Sequence, residues 1–219
     1  MKKIFLGRGL QYNVFRISHT RVLKVETTRA QKKAVVTGWG ESPERIKKYL
    51  ENGNTQLLSS LELIKQELAR AEVVDSDSLF NLLGRPMFCQ GTTSFSQDYG
   101  LPPIELVRRA SRIYDLVYQA LIRDYVRLLY KLWGYGLHDL VMNCYTNCSY
   151  LPDNRLILHD FGELTADYKT VRHRLKTEHF RNSSLYGNRS NTAQRKFLTT
   201  YFRRHLTIEN LDKYWKTKK

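Results

Sequence analysis

The stretch 135–164 holds two His-Asp pairs, and their carboxylates are the groups in this chain best suited to do chemistry. The first pair is His138-Asp139, and the second ends in Asp160, which runs directly into Phe-Gly. A carboxylate beside a hydroxyl can accept its proton, and a carboxylate beside a phosphate can hold Mg²⁺. A loop with an Asp, then a hairpin, then Asp-Phe-Gly therefore indicates phosphoryl transfer.

Residue patterns predict the elements that would position these groups. Alternating apolar and polar residues predict three strands in 3–25, with a Gly-x-Gly turn after the first. Apolar residues at helical spacing predict helices at 42–51 and 55–72, separated by Asn-Gly-Asn. Further predicted elements are strands at 86–96 and 101–107, a helix at 108–133, hairpin strands at 144–150 and 155–159, and helices at 193–205 and 208–215. An antiparallel sheet followed by a mostly helical part predicts an α+β fold.

The order of these motifs resembles the protein-kinase-like superfamily. Gly7-x-Gly9, followed by Tyr-x-Val, looks like a glycine-rich phosphate loop, and Lys24 in Val-Leu-Lys-Val looks like the strand lysine that holds nucleotide phosphates. His138-Asp139 resembles the start of the catalytic loop, and Asp-Phe-Gly matches the metal-binding motif. In outline, the chain is similar to small bacterial YrbL-type proteins of the PhoP regulatory network, over residues 4–165.

The resemblance implies a two-lobed fold with an N-terminal lobe at 1–107 and a C-terminal lobe at 108–219. It also implies ATP and Mg²⁺ as ligands. The implied nucleotide-binding residues are Gly7, Gly9, Lys24, Glu67 and Glu105, the implied metal ligands are Asn143 and Asp160, and the implied catalytic residues are Asp139 and His138. Glu67 would orient the lysine from a helix, with Glu62 as the reserve, and Glu105 would lie at the hinge.

The first His-Asp pair departs from the family spacing, in which the asparagine follows the catalytic aspartate by five residues. Asn143 follows Asp139 by four residues and Asn147 follows it by eight. If Asn143 is held at the family position, the base falls on His138; if Asp139 is the base, the loop is shortened or Asn147 is the ligand. We favour Asp139 with Asn143, because Asn143 would sit just before the predicted hairpin and Asn147 inside its first strand.

Three functions are compatible with these motifs. The first is transfer of the γ-phosphate of ATP to an unknown hydroxyl acceptor, on a small molecule or a protein. The second is a catalytically impaired regulatory protein, because Val141 replaces the loop lysine and no Ala-Pro-Glu follows Asp-Phe-Gly. The third is a basic nucleic-acid-binding module.

The nucleic-acid alternative is based on charge. The net charge is +15, and residues 165–219 carry fourteen Lys or Arg against four acidic residues, a net +10. Such a segment attracts polyanions. No apolar run is long enough to span a membrane, and the three cysteines indicate no disulfide framework, so a cytoplasmic protein is expected. His138, Cys144, Cys148 and His159 are the donors of a less favoured zinc alternative.

Overall fold

A computed structural model describes residues 3–8, 11–38, 42–70, 78–90, 92–109, 114–183 and 191–216. An antiparallel sheet comes first in the chain and a mostly helical part follows, as the sequence predicts. The sheet strands are β1 (Ile4–Arg8), β2 (Tyr12–Arg16), β3 (Arg21–Glu26), β4 (Met87–Phe88) and β5 (Phe95–Asp98). Their spatial order is β1-β2-β3-β5-β4.

Helices separate or follow these strands. They are α1 (Arg29–Gly38), α2 (Pro43–Arg70), α3 (Leu79–Leu82), α4 (Pro103–Arg109), α5 (Tyr114–Gly134), α6 (Cys144–Asn147), α7 (Tyr168–Lys176), α8 (Thr192–His205) and α9 (Ile208–Tyr214), with a 3₁₀ turn at His179–Asn182. Two short antiparallel pairs lie among them, β6 (His138–Asp139) with β9 (Leu164–Thr165) and β7 (Cys148–Tyr150) with β8 (Leu156–Leu158). No helix in the described ranges is long and apolar enough to cross a membrane.

Helix α2 is one continuous helix, so the predicted break at Asn-Gly-Asn is wrong. A glycine inside a helix costs only about 1 kcal/mol relative to alanine. The buried side chains of Leu57, Leu61 and Ile64 form one stripe on α2 and belong to the hydrophobic core. Tertiary packing of this stripe outweighs the local cost.

The predicted strand 101–107 is also wrong, because α4 begins at Pro103. Proline at the first helical position is favourable, since its missing N–H would have no partner there. Leu101 alone keeps strand-like pairing: its N–H donates to the carbonyl of Tyr150 at 2.9 Å, and its carbonyl accepts from Tyr150 N–H at 3.0 Å. This β-bridge fastens the segment between β5 and α4 to β7.

The predicted strand 144–150 is divided into α6 and β7. Asn147 N–H donates to the carbonyl of Asn143 at 3.0 Å, which closes one helical turn over buried Cys144 and Tyr145. Asn143 therefore occupies the N-cap position of α6, a position that asparagine favours. Asn147 ends the turn immediately before β7.

The sheet and the helical part share one core beside the Asp-Phe-Gly motif. The ring of Phe161 stacks on that of Phe95 in β5, with centroids 4.9 Å apart. The buried hydroxyl of Ser60 on α2 contacts the carbonyls of Gly162 at 3.0 Å and Leu164 at 3.1 Å. Helix α2 therefore holds the backbone that follows Asp160.

Candidate functional site

Lys24 is buried between the sheet and the Asp-Phe-Gly segment. Its Nζ donates a hydrogen bond of 2.7 Å to the carbonyl of His159. The same nitrogen lies 5.8 Å from the ring centroid of Tyr12, 5.6 Å from that of Phe95 and 5.9 Å from that of Phe161. Burial lowers the pKa of Lys24, and the negative charge of Asp160 opposes that effect. The ammonium and the Asp160 carboxylate are therefore electrostatic neighbours.

Strand pairing explains why Lys24 reaches this position. Lys24 in β3 lies opposite Phe95 in β5. Two residues further along β5, Gln97 Nε2 donates to the carbonyl of His159 at 2.8 Å. Both strands thus hold the residue that precedes Asp160 through a single backbone oxygen.

Of the two candidate asparagines, Asn147 is the one whose backbone has described hydrogen bonds to His159 and Asp160. Its backbone carbonyl accepts from the amides of His159 at 2.8 Å and Asp160 at 3.0 Å. The expectation that Asn147 lies inside the strand is wrong, because residues 144–147 form a helical turn and β7 begins at Cys148, but the choice between Asn143 and Asn147 as metal ligand stays a prediction. Asn143 and Asn147 are both buried.

Asp139 is buried, and both of its carboxylate oxygens accept hydrogen bonds. Tyr125 OH donates to Oδ2 at 2.7 Å, and Val141 N–H donates to Oδ1 at 3.0 Å. Burial raises the pKa of Asp139 to about 6, although these hydrogen bonds act in the opposite direction. Asp139 therefore organises the loop after β6, and its oxygens are not presented to solvent.

His138 is fully buried, and its ring lies beside that of Trp133. Its Nδ1 accepts a 3.0 Å hydrogen bond from Trp133 Nε1, and burial lowers its pKa to about 3. The imidazole is therefore neutral at physiological pH. An acceptor Nδ1 places the ring proton on Nε2.

The glycine-rich segment is described in part. Gly7 lies in β1 opposite Val14, after a register shift that begins at Phe5. Gly9 lies outside the described residues. The side chain of Gln11 covers Gly162, where a Cβ would approach its amide carbon to 2.7 Å. The segment that follows the glycines therefore lies over the Asp-Phe-Gly motif.

The predicted acidic partners of Lys24 make other contacts. Glu67 is mostly buried on α2, and its Oε1 lies 3.4 Å from Nη1 of Arg70. Glu62 accepts a 3.3 Å hydrogen bond from Gln66. The hydrogen bond of Lys24 goes instead to the backbone, so the described contacts do not bring a glutamate of α2 to its ammonium.

Glu105 lies in the first turn of α4, at the wall of a cavity of about 950 Å³. Leu6, Tyr99, Leu101 and Tyr150 line the same cavity. The cavity therefore borders the segment between β5 and α4, where the resemblance places the hinge. Lys24 and Asp160 are not among its lining residues.

Two charged residues near the site were not predicted from the sequence. Arg174 on α7 donates from Nη1 to the carbonyl of Leu140 at 2.6 Å, and Leu140 N–H donates to the carbonyl of Glu163 at 3.1 Å. Partial burial and the charges of Asp139 and Asp160 raise the pKa of Glu163, against the effect of Arg174. Glu163 could have been found because it directly follows Phe-Gly, whereas Arg174 has no local signal.

The zinc alternative is wrong for the described residues. No group of three or more His, Cys, Asp or Glu side chains in those ranges is arranged to hold a metal ion. Cys144 and Cys148 are both buried, and burial raises the pKa of each thiol, which opposes the thiolate that zinc requires.

Comparisons with known proteins do not show a family. No protein-family model matches the chain, and no curated protein matches it. A solved structure of Rv3197 with erythromycin, from Mycobacterium tuberculosis, is similar with a TM-score of 0.40 and 12% sequence identity. That likeness covers 80% of this chain and 51% of Rv3197, so the chain matches about half of that protein's length.

The assembled site therefore has a cationic side and an oxygen-rich side. Lys24 supplies a buried ammonium and Asp160 supplies a carboxylate, while the backbone carbonyl of Asn147 holds the amide of Asp160. Ammonium groups bind phosphate oxygens, and hard oxygen donors suit Mg²⁺. The arrangement is chemically suited to a magnesium-bound phosphate ligand.

Proposed function

We propose that this chain has a protein-kinase-like, two-lobed fold and binds a magnesium nucleotide, ATP in the first instance. We further propose that it acts as a regulatory binding protein. The phosphotransferase favoured by the motif order becomes a second candidate, treated below.

The topology supports the fold. Strands β1 and β2 pair antiparallel, the long helix α2 lies between the third strand and the fourth, and the sheet order is β1-β2-β3-β5-β4. The β7–β8 hairpin then lies between the loop that carries Asp139 and the Asp-Phe-Gly motif. This is the arrangement that the kinase-like resemblance implies.

The observation that carries nucleotide binding is the bond from Lys24 Nζ to the carbonyl of His159, the residue before Asp160. It brings the one lysine of β3 beside the aspartate of Asp-Phe-Gly, although 135 residues separate Lys24 from His159. A buried lysine is costly unless something compensates its charge. A phosphate ligand would supply that compensation.

The donor set fits the implied metal. Asp160 is partly exposed, and Asn147 is fastened to it through the backbone. Mg²⁺ takes oxygen ligands, binds through few protein groups and keeps several waters. When bound, it would neutralise phosphate charge, with Asp160 and the amide of Asn143 or Asn147 holding it and Lys24 contacting the phosphate oxygens.

The state of Asp139 supports a regulatory role. A general base must reach the proton that it removes. Asp139 is buried, and Tyr125 and Val141 occupy its two oxygens. Nucleotide binding requires none of these groups to move, whereas proton abstraction by Asp139 requires the loop to open.

A thermal-shift experiment tests nucleotide binding. At 100 times Kd, Mg-ATP should stabilise the wild-type chain by about 2.7 kcal/mol, which is roughly 5–10 °C in Tm for a chain of this size. Lys24→Met and Asp160→Asn should each abolish the shift, because they remove the phosphate-binding cation and the metal-binding anion. Removal of Mg²⁺ with EDTA should reduce it.

The matched control is Lys33→Met, which changes an exposed lysine on α1 by the same substitution. Its shift should equal that of the wild type. A wild-type protein that melts at the same temperature with and without Mg-ATP would contradict the proposal. So would equal shifts in the wild type and both site variants.

Phosphoryl transfer is the second candidate, and Glu163 is the observation that favours it. Glu163 is exposed, unlike Asp139, and its carboxylate responds to the charges of both Asp139 and Asp160. Its raised pKa brings it closer to neutral pH, where a base works best. Glu163 would therefore serve as the base in this second candidate, in place of the buried Asp139.

Phosphoryl transfer is tested with γ-labelled ATP. The acceptor is either the protein itself or a mixture of small molecules and proteins that carry hydroxyl groups. Glu163→Gln should lower the transfer rate by about 10²- to 10⁴-fold if Glu163 is the base, whereas Glu209→Gln, at an exposed position on α9, should leave it unchanged. Absence of label transfer by a wild type that still shows the Mg-ATP shift would remove this candidate and leave the regulatory proposal in place.

A further inference from the structure

A row of aromatic rings runs along the surface of α8. Phe197, Tyr201 and His205 are spaced by four residues and lie on one face of the helix. The rings of Phe197 and Tyr201 stack at 5.5 Å with an interplanar angle of 17°, and Tyr201 and His205 are 4.1 Å apart at 34°. All three side chains are half-buried. Four-residue spacing along a helix advances about 6 Å, so the three rings span about 12 Å.

Two tyrosines continue the row onto neighbouring helices. Tyr130 on α5 and Tyr214 on α9 stack at 4.6 Å and 17°. Tyr130 OH donates to the carbonyl of His205 at 2.6 Å. Burial, followed by the proximity of Tyr214 and Tyr201, raises the pKa of Tyr130 to about 12. We call these five residues (Phe197, Tyr201, His205, Tyr130 and Tyr214) the aromatic row.

Exposed cations accompany the row. The guanidinium of Arg123 lies 5.8 Å from the ring centroid of Phe197 at one end, and Lys213 Nζ lies 5.0 Å from that of Tyr214 at the other. Arg204 is close enough to His205 to lower its pKa, after the effect of burial. The row is therefore a set of flat rings with positive charge at both ends and along its length.

The nearby carboxylates are already engaged. Asp115 accepts a 3.0 Å hydrogen bond from Gln194, Asp212 accepts one from Tyr168, and Asp124 pairs with Arg127 at 3.1 Å. Asp115 and Asp212 keep their negative charge, because Gln194 and Tyr168 are neutral donors, but residues 192–216 still carry six Lys or Arg against two acidic residues, a net +4.

We propose that the aromatic row is a binding surface for single-stranded nucleic acid. Single-stranded nucleic acids bind where aromatic rings stack on bases and cations follow the phosphates, and both features occur here on one surface. An acidic peptide would use the cations but not the rings. An anionic membrane would be bound by large apolar side chains that insert into it, whereas four of the five members of the row carry a hydroxyl group or an imidazole. The surface is separate from the residues proposed to bind the nucleotide.

Fluorescence anisotropy with a labelled 20-nucleotide oligouridine tests this proposal. Tyr201→Leu and Tyr214→Leu should each raise Kd by about 5- to 150-fold, which is the effect of losing one base-stacking contact of 1–3 kcal/mol. Tyr201→Phe and Tyr214→Phe keep the rings and should bind as the wild type does. Arg123→Gln should reduce the slope of log K against log salt by about 0.7.

Controls separate stacking from bulk charge and from folding. Arg172→Gln removes a cation on α7 that no described contact places at the row, so this variant should keep the Kd and the salt slope of the wild type. Unchanged Kd in both leucine variants, each shown by its Tm to be folded, would overturn the proposal. The proposal would also be overturned if the wild type bound phosphatidylserine vesicles more strongly than oligouridine and if the same leucine variants abolished the vesicle binding. The Mg-ATP thermal shift should persist in all row variants, so failure here is distinct from failure of nucleotide binding.

Discussion

Gly100→Ala is expected to destabilise the protein by about 3–5 kcal/mol, the range of single substitutions that disrupt backbone packing or a buried hydrogen-bond network. A Cβ on Gly100 would fall onto the carbonyl group of Tyr150, within 2.5 Å of its carbon. A backbone carbonyl cannot rotate away as the end of a side chain can. The paired hydrogen bonds between Leu101 and Tyr150 would have to separate.

Urea denaturation of the wild type and the variant measures this effect. Gly134→Ala is the matched control, because nothing lies within 4 Å of its Cβ position and Gly134 ends helix α5. Alanine there should stabilise the protein by up to about 1 kcal/mol, through helix propensity and loss of unfolded-state entropy. Equal stability of Gly100→Ala and the wild type would show that the Leu101–Tyr150 bridge does not hold in solution.

The free energy of unfolding should rise with pH between about pH 5 and 6, because the unfolded state binds more protons than the folded state at two buried histidines and one buried aspartate taken together. His138 and His159 have pKa values lowered to about 3, mainly by burial, so they are neutral when folded and protonated when unfolded in this interval. Asp139, with a pKa raised to about 6, is protonated when folded and ionised when unfolded. The unfolded state therefore binds two protons more at the histidines and one fewer at the aspartate.

Each titrating proton changes stability by about 1.4 kcal/mol per pH unit, so these three groups together contribute a rise of about 1.4 kcal/mol per unit. Asp139→Asn removes the opposing proton and should increase the slope by about 1.4 kcal/mol per pH unit relative to the wild type. His138→Gln should decrease it by about the same amount. Unfolding free energies from urea titrations at pH 5.0, 5.5 and 6.0 measure the slopes. Identical slopes in all three proteins would contradict the burial of these groups.

Local pattern was sufficient to predict the first three strands and the C-terminal helices. The alternation in 3–25 corresponds to β1, β2 and β3, and the helices predicted at 193–205 and 208–215 correspond to α8 and α9 within one residue at each end. Strand β3 buries alternate residues and α8 buries one face, so their apolar residues recur with the period of a strand and of a helix, whereas Ile4, Phe5 and Leu6 of β1 are exposed. The two-lobed kinase-like arrangement remains a prediction.

Elements whose conformation depends on distant contacts were not predictable in this way. The apolar residues Cys144 and Tyr145 favour a strand at 144–147, but the segment forms one helical turn. In this turn the backbone carbonyl of Asn147 accepts hydrogen bonds from the amides of His159 and Asp160. Those amides lie more than ten residues away in the chain. Local sequence preference therefore could not indicate whether Asn143 or Asn147 would form the backbone hydrogen bond to Asp160.

The residues of the candidate site could be selected from the sequence by their types, but the hydrogen bonds that they form could not be predicted. The sequence pairs Lys24 with a glutamate of α2, whereas the structure bonds its ammonium to a backbone carbonyl. Asp139 has the sequence context of a base, but its accessibility depends on Tyr125, which lies 14 residues earlier on the buried face of α5. Burial and bonding are tertiary properties, so a motif alone does not specify them.

In the proposed nucleotide site, Lys24 lowers folding stability in exchange for ligand binding. Its lowered pKa means that the folded protein holds this charge less favourably than the unfolded chain does. The three surrounding rings and the His159 carbonyl offset only part of that cost. A methionine of similar length would fill the same space without the charge, so the ligand-free Lys24→Met protein should melt above the wild type even though it no longer responds to Mg-ATP.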